Sequence, residues 1–189
     1  TCYDQRDRTV LSWVRWVMVK KKRTGSRVNE SYVPVIKADV AADQLIAHAA
    51  LASREAQIEW SEATGSDKLW DHYAEGEEIH HPSGITMEEA DHMQATRLYQ
   101  NNAVAHFDAF SMKDSPIGRR LVYGGHVISV CRTLAYDGLE NTISISAVNS
   151  GSHVSPTVAG DTLYASTQVL QKWKLPGRVD VGALRLRML

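Results

Sequence analysis

Hydrophobic and polar positions change period several times along this chain, and each change marks an element. From Thr9 to Val19, β-branched and aromatic residues fall on both faces of an extended chain, with Leu11, Trp13 and Val17 against Val10, Val14 and Trp16. This pattern predicts a strand buried on both sides. The basic run Lys20 to Arg23 ends it in a polar, solvated loop. Asp39 can cap an alanine-rich helix through Ser53, with Leu45, Ile46 and Ala49 on one face, which reads as a linker. GEEIHHPSGIT, residues 76 to 86, is a strand candidate broken at Pro82 and Gly84. Thr86 and Glu89 then have the spacing of a capping box for a helix over MEEADHMQATRLYQ.

After NNAVAHFDAF, which shows no period, the apolar residues Val127, Ile128, Val130, Cys131, Leu134 and Ala135 suit a largely buried helix starting near Gly125. TISISAVNSGSHV, DTLYASTQVLQKW and RVDVGALRLRML alternate as strands do, and the last stops without a turn. The expected architecture is α+β, an antiparallel sheet wrapped around one helix. The strand at Thr9 needs a partner that nothing upstream supplies, so the chain is expected to begin and end inside sheets. Its expected divisions are residues 1–23, the last strand of a preceding repeat; 24–68, a linker with a helix; and 69–189, the main domain.

Composition removes several classes. With 189 residues, 43% hydrophobic and 23% charged, the chain has ordinary globular proportions, and a formal charge of -1 gives no global field for nucleic acid or an anionic membrane. Any anionic ligand must be held by local groups. The most apolar run, Val10 to Val19, is interrupted by Arg15 and is about half the roughly 20 residues that span a bilayer. Cys2 and Cys131 have no paired or metal-binding spacing, which suits a reducing cytoplasm, and no targeting signal is expected after Thr1. Neighbouring His80 and His81 face opposite ways on a strand and have no third ligand nearby, so no metal site is expected.

The chemistry-bearing residues lie in the second half. The segment Asn101, Asn102, Ala103, Val104, Ala105, His106, Phe107, Asp108 is in register with the Asp-x-Asn-Pro-x-His-x-Asp motif of the MaoC-like hydratases, matching at the histidine and the final aspartate. LVYGGHVIS puts Gly124 and Gly125 where that family has His-Gly at the start of its buried helix. Pro156, Gly160, Asp161 and Leu163 match its Pro-x-x-x-Gly-Asp-x-Leu strand entry. The chain therefore resembles the MaoC-like hotdog-fold hydratases, and LYQNNAVAHFDAF, GRRLVYGGHVIS and LPGRVDVGALRLR resemble the second repeat of the double-hotdog mesaconyl-CoA (2-methylfumaryl-CoA) hydratases, also called β-methylmalyl-CoA dehydratases. VLSWVRWVMVKKK resembles the last strand of their first repeat.

The resemblance implies a hotdog fold, reversible hydration of an enoyl-CoA thioester, a preceding repeat as partner, a homo-oligomer, and no cofactor beyond the coenzyme A of the substrate. The reaction requires a polarised carbonyl, a deprotonated water at the β-carbon and a proton for the α-carbon. The Gly125 amide, at a helix N-terminus, would stabilise the enolate oxygen. His106 is the expected general base, because imidazole's ordinary pKa of about 6.5 suits proton transfer near neutral pH. Asn101 stands where the family has an acid, and an amide can orient water but cannot exchange a proton.

Three arrangements remain open: His106 handles both proton steps, Asp108 or a group outside the chain supplies the second, or this repeat is an inactive partner. Arg119 and Arg120, just before the glycines, are candidates for a coenzyme A phosphate or a substrate carboxylate, with Gly124 and Asp108 beside them. Blander roles exist for each: a structural histidine, a turn for Asn101, a tight bend at the glycines, solvated arginines, a local cap at Asp108. A hotdog thioesterase is the other enzymatic reading, but such enzymes typically use a carboxylate on the helix, and Gly125 to Tyr136 contains none.

Overall fold

The computed structural model describes residues 1–14, 17, 19, 21–23, 25, 40–41, 44–45 and 61–189. The helix expected from Asp39 to Ser53 lies almost wholly outside the described residues. The chain divides into two units, Thr1–Ile36 and Lys37–Leu189.

In the first unit, β1 (Cys2–Tyr3) pairs antiparallel with β2 (Thr9–Leu11), and Asp4 closes the turn by accepting from the amides of Arg6 and Arg8. The expectation of a strand buried on both faces is corrected here. β2 stops at Leu11, and Val10, Trp13, Val14 and Val17 are all at least half exposed. A run with apolar groups on both faces needs a layer on each side, and a two-residue partner provides neither.

In the second unit, β3 (Glu78–His80), β6 (Ser166–Lys174) and β7 (Gly182–Met188) form an antiparallel sheet in the order β3-β6-β7. A separate ribbon pairs β4 (Ile85–Thr86) with β5 (Thr162–Leu163). Between them in sequence lie α1 (Glu89–Leu98), the single turns α2 (Val104–Phe107) and α3 (Ala109–Met112), and α4 (Gly124–Leu134).

The core forms where the end of α4 meets the sheet. Ala135 and Leu139 pack with Tyr73, with Ile79 of β3 and with Val169 of β6, and Leu184 of β7 lies against them. Gly138, at φ +90°, turns the chain there, and an added Cβ would lie 2.8 Å from the Ile79 side chain, so both conformation and space call for glycine. His81, also buried, bridges the same junction. Its Nδ1–H donates to the Asp137 carbonyl at 2.7 Å, and its Nε2 bonds the Thr167 hydroxyl at 2.8 Å.

Three expectations need correction. Leu134 is buried, but Val127 and Val130 are only partly covered, because the sheet reaches the C-terminal end of α4 and not its length. TISISAVNSGSHV forms no strand: no ladder partner is paired with it among the described residues, and Ile145, Val148 and Val154 stand exposed. Alternation supplies a face, but a strand also requires a neighbour's hydrogen bonds. The capping box at α1 is absent as well. Thr86 shares a hydrogen bond with Thr162 across β4 and β5, while Glu89 turns to Arg120 and His92.

Candidate functional site

α4 begins with no side-chain cap, so its first amides, those of Gly124 and Gly125, are not taken by a capping group. Tyr123 folds back over this turn: a Cβ on Gly125 would lie 2.5 Å from its ring. Flanking Tyr123 are the rings of Tyr99, at 6.2 Å between centroids, and of His106, edge-on at 5.9 Å. Tyr123 is thus the hub that brings the histidine of α2 to the start of α4.

The segment carrying His106 is fastened to the strand-like stretch before α4. The Leu121 amide donates to Ala105 O at 2.9 Å, and His106 Nδ1–H donates to Leu121 O at 3.1 Å. Because the carbonyl can only accept, this bond fixes the neutral tautomer and leaves the lone pair on Nε2. Arg120 adds a third tie, donating to Phe107 O at 3.2 Å while its other end pairs with Glu89.

Glu89 in turn accepts from Nε2–H of His92, which is wholly buried in α1. Burial pushes the Glu89 carboxyl up, but the bonds from Arg120 and His92 outweigh it and hold the group below the usual range. For His92, burial is the leading cause of a lowered pKa, and its Nδ1 has no hydrogen-bond partner.

The other expected site residues are placed as follows. Asn101 Oδ1 accepts from the Ala103 amide at 3.0 Å, a local turn, and Asn101 N–H donates to Thr96 O at the end of α1. Asp108 caps α3: the Ser111 hydroxyl and amide donate to it and keep its carboxyl below the ordinary range. Arg119 is exposed and donates to Ala159 O at 2.8 Å. Asp161 accepts from the Val158 amide, a turn role, beside Gly160 at φ +95°.

Sequence reasoning singled out neither Tyr99, Tyr123 and His153 nor the Glu89–His92 pair. Tyr123 directly precedes the paired glycines, which is the one signal that pointed to it. An open groove of about 720 Å³ lies alongside, lined by Asp91, Gln94, Arg97, Tyr99, His126 and Ser129. Among the described residues, no group of three metal-ligating side chains is present, and no helix is long and apolar enough to cross a membrane.

An uncapped helix start on glycines, with an oriented imidazole beside it, can accept a developing oxyanion and move a proton. Comparison with known proteins bears on which reaction this serves. The chain is 45% identical over 184 residues to the β-methylmalyl-CoA dehydratase of Chloroflexus aurantiacus, covering 97% of this chain and 51% of that protein. It is 46% identical over 187 residues to the mesaconyl-CoA hydratase of Cereibacter sphaeroides, covering 98% of this chain and 52% of that one.

Nearly the whole of this chain is thus similar to about half of each of these two proteins. A solved MaoC domain dehydratase from Chloroflexus aurantiacus superposes with a TM-score of 0.80 at 44% identity, covering 90% of this chain and 48% of that one. A monoamine oxidase regulatory protein from Archaeoglobus shares the fold, with a TM-score of 0.54 at 20% identity over 64% of this chain and 81% of that one. No protein-family model matches. The chain spans about half the length of the curated relatives it matches. The α+β fold expected from the sequence, a hotdog on the resemblance, is shared with the solved MaoC domain dehydratase, which superposes over 90% of this chain.

Proposed function

We propose that this chain carries the catalytic half of a hydro-lyase that reversibly adds water to an enoyl-CoA thioester, with mesaconyl-CoA and β-methylmalyl-CoA as the pair. The observation that carries the reading is the bond from His106 Nδ1 to Leu121 O. It presents Nε2 as a base beside a glycine-initiated helix, in a chain 45% identical to a β-methylmalyl-CoA dehydratase.

In this reading the thioester carbonyl lies against the first-turn amides of α4, where unpaired N–H groups and the helix dipole stabilise the enolate. Glycine at 124 and 125 leaves that turn room for the rings of His153 and Tyr123 that border it. His106 Nε2 takes the proton of the attacking water. Asn101 holds the loop before His106 through its turn. Arg119 meets a coenzyme A phosphate or the second carboxylate of the substrate; Arg120 and Asp108, engaged internally, shape the segment between them.

The enzyme needs no cofactor beyond the coenzyme A of its substrate. It works with a preceding hotdog repeat, as a homo-oligomer in the cytoplasm. The divisions 1–23, 24–68 and 69–189 stand as the proposed organisation.

The second reading is a non-catalytic repeat that completes the acyl tunnel of its partner. One observation favours it: the family's acidic position is Asn101, whose amide is spent on a turn. Hydration of mesaconyl-CoA by the full-length protein and its His106→Ala variant separates the two. Loss of turnover in the variant supports catalysis here, and unchanged turnover assigns it elsewhere.

A further inference from the structure

Hydration moves two protons, and the groups placed so far account for one. Asn101 cannot exchange a proton at neutral pH, and Asp108 is committed to the Ser111 hydroxyl and amide. The structure sets a different group at the helix start. A Cβ built on Gly124 would lie 2.5 Å from both Cε1 and Nε2 of His153. The edge of that imidazole therefore rests against the backbone of the first residue of α4, in space that only glycine leaves open.

His153 is not carried there by a strand. The stretch after it is tied to the stretch before α4 by two bonds, Val122 N–H to Thr157 O at 2.8 Å and Arg119 to Ala159 O at 2.8 Å. The same short run, 119 to 122, also holds His106 through Leu121 O. One piece of chain thus anchors His106 directly and the backbone leading from His153 four and six residues further on. His126, from that turn, lines the groove with Asp91 and Tyr99 instead.

We propose that His153 is the second proton carrier of the reaction; the proposal rests on the hydratase reading above. As water attacks the β-carbon, His106 Nε2 takes its proton, a carbon–oxygen bond forms, and the π electrons move through the α-carbon to the thioester oxygen. The enolate then collapses and His153 gives its N–H proton to the α-carbon. His106 afterwards releases one proton to solvent and His153 takes one up, so the net change is addition of one water. In dehydration His153 removes the α-proton and His106 protonates the departing hydroxide.

The test uses the full-length protein, as wild type and as the His106→Ala, His153→Gln and Gly124→Ala variants. Hydration of mesaconyl-CoA is followed alongside deuterium exchange at the α-carbon of β-methylmalyl-CoA in D2O, with melting curves for each protein. His153→Gln is expected to lose about 100-fold in both, as for a general acid or base, whereas His106→Ala loses hydration but keeps exchange within about 10-fold. Gly124→Ala, whose methyl displaces the imidazole, should lose exchange like His153→Gln, and it decides the question if the histidine variant does not fold. Wild-type hydration with exchange kept within about threefold in His153→Gln or in a folded Gly124→Ala overturns the assignment and leaves the hydratase reading standing. A wild-type protein that neither hydrates nor exchanges overturns both.

Discussion

His106 and Leu121 are joined by a 3.1 Å hydrogen bond from the ring Nδ1–H to the backbone carbonyl, and that bond decides which nitrogen of the histidine is free to act. His106→Ala is expected to lower kcat by at least about 100-fold with the fold intact. His106→Asn keeps a donor at the Nδ1 position for Leu121 O but no titrating nitrogen, so it should be as inactive while melting closer to wild type. A His106→Asn enzyme of near-normal rate would show that the ring only fills space.

Asn101 offers a finer test, because its side chain accepts one hydrogen bond from Ala103. Asn101→Asp retains an acceptor and restores an acid, so activity should be preserved or raised. Asn101→Ala should cost about 0.5–1.5 kcal/mol of stability, the net worth of an ordinary hydrogen bond, and less activity than the histidine change. Denaturant midpoints and initial rates for the two variants read both effects.

The tie from Arg120 to Phe107 O and Glu89 predicts a loss of order in the His106 segment when it is cut. Arg120→Met should speed amide exchange across residues 101–108 more than in β6, and should lower kcat more than it raises KM. Uniform acceleration throughout the domain would mean that Arg120 supports the whole fold instead. Arg119→Ala gives the contrasting result under the proposed phosphate role, raising KM for a coenzyme A thioester and leaving a pantetheine thioester unaffected.

Acid should loosen the α1 end of the domain. The folded pKa of His92 is lowered, so the unfolded chain binds more protons once pH falls below about 6.5, and stability declines from there down through the folded value. Glu89, also lowered, adds a loss that begins near the ordinary carboxyl range and continues downward. Both signs agree. His92→Gln should remove the upper part of the decline and Glu89→Gln the lower, as read from melting temperature against pH.

The sequence made the sheet legible where a strand finds its partner within the same unit. β6 and β7 alternate and pair over most of their length, from Thr167 opposite Met188 to Lys174 opposite Gly182. Thr9–Val19 and residues 142–154 carry equally good patterns, yet Val10, Trp13, Val14 and Val17 in the one and Ile145, Val148 and Val154 in the other lie exposed. Pattern reports what a segment can bury; it is silent on whether anything is there to bury it. At the site, motif register located His106 and the glycines, which are local features. Tyr99 and Tyr123 come together from distant stretches through ring packing, and His153 comes from another to lie against the Gly124 backbone, neither of which any spacing in a single sequence encodes. Glu89 looked like a capping residue because its spacing from Thr86 fits one, but a buried histidine and an arginine make stronger claims on a carboxylate than an amide does.

His81 gives the two ends of α4 different freedoms to change. Its ring bonds the carbonyl of Asp137 just past the helix and the hydroxyl of Thr167 in the central strand, where Ala135 is wholly buried. That end is bolted to the sheet. The opposite end rests on side-chain rings that can be exchanged one at a time. Descendants of this sequence can therefore remodel the mouth of the cleft for a bulkier or more polar acyl chain without unseating the helix, whereas a change at His81 or Thr167 would have to be matched by its partner before any new substrate could be tried.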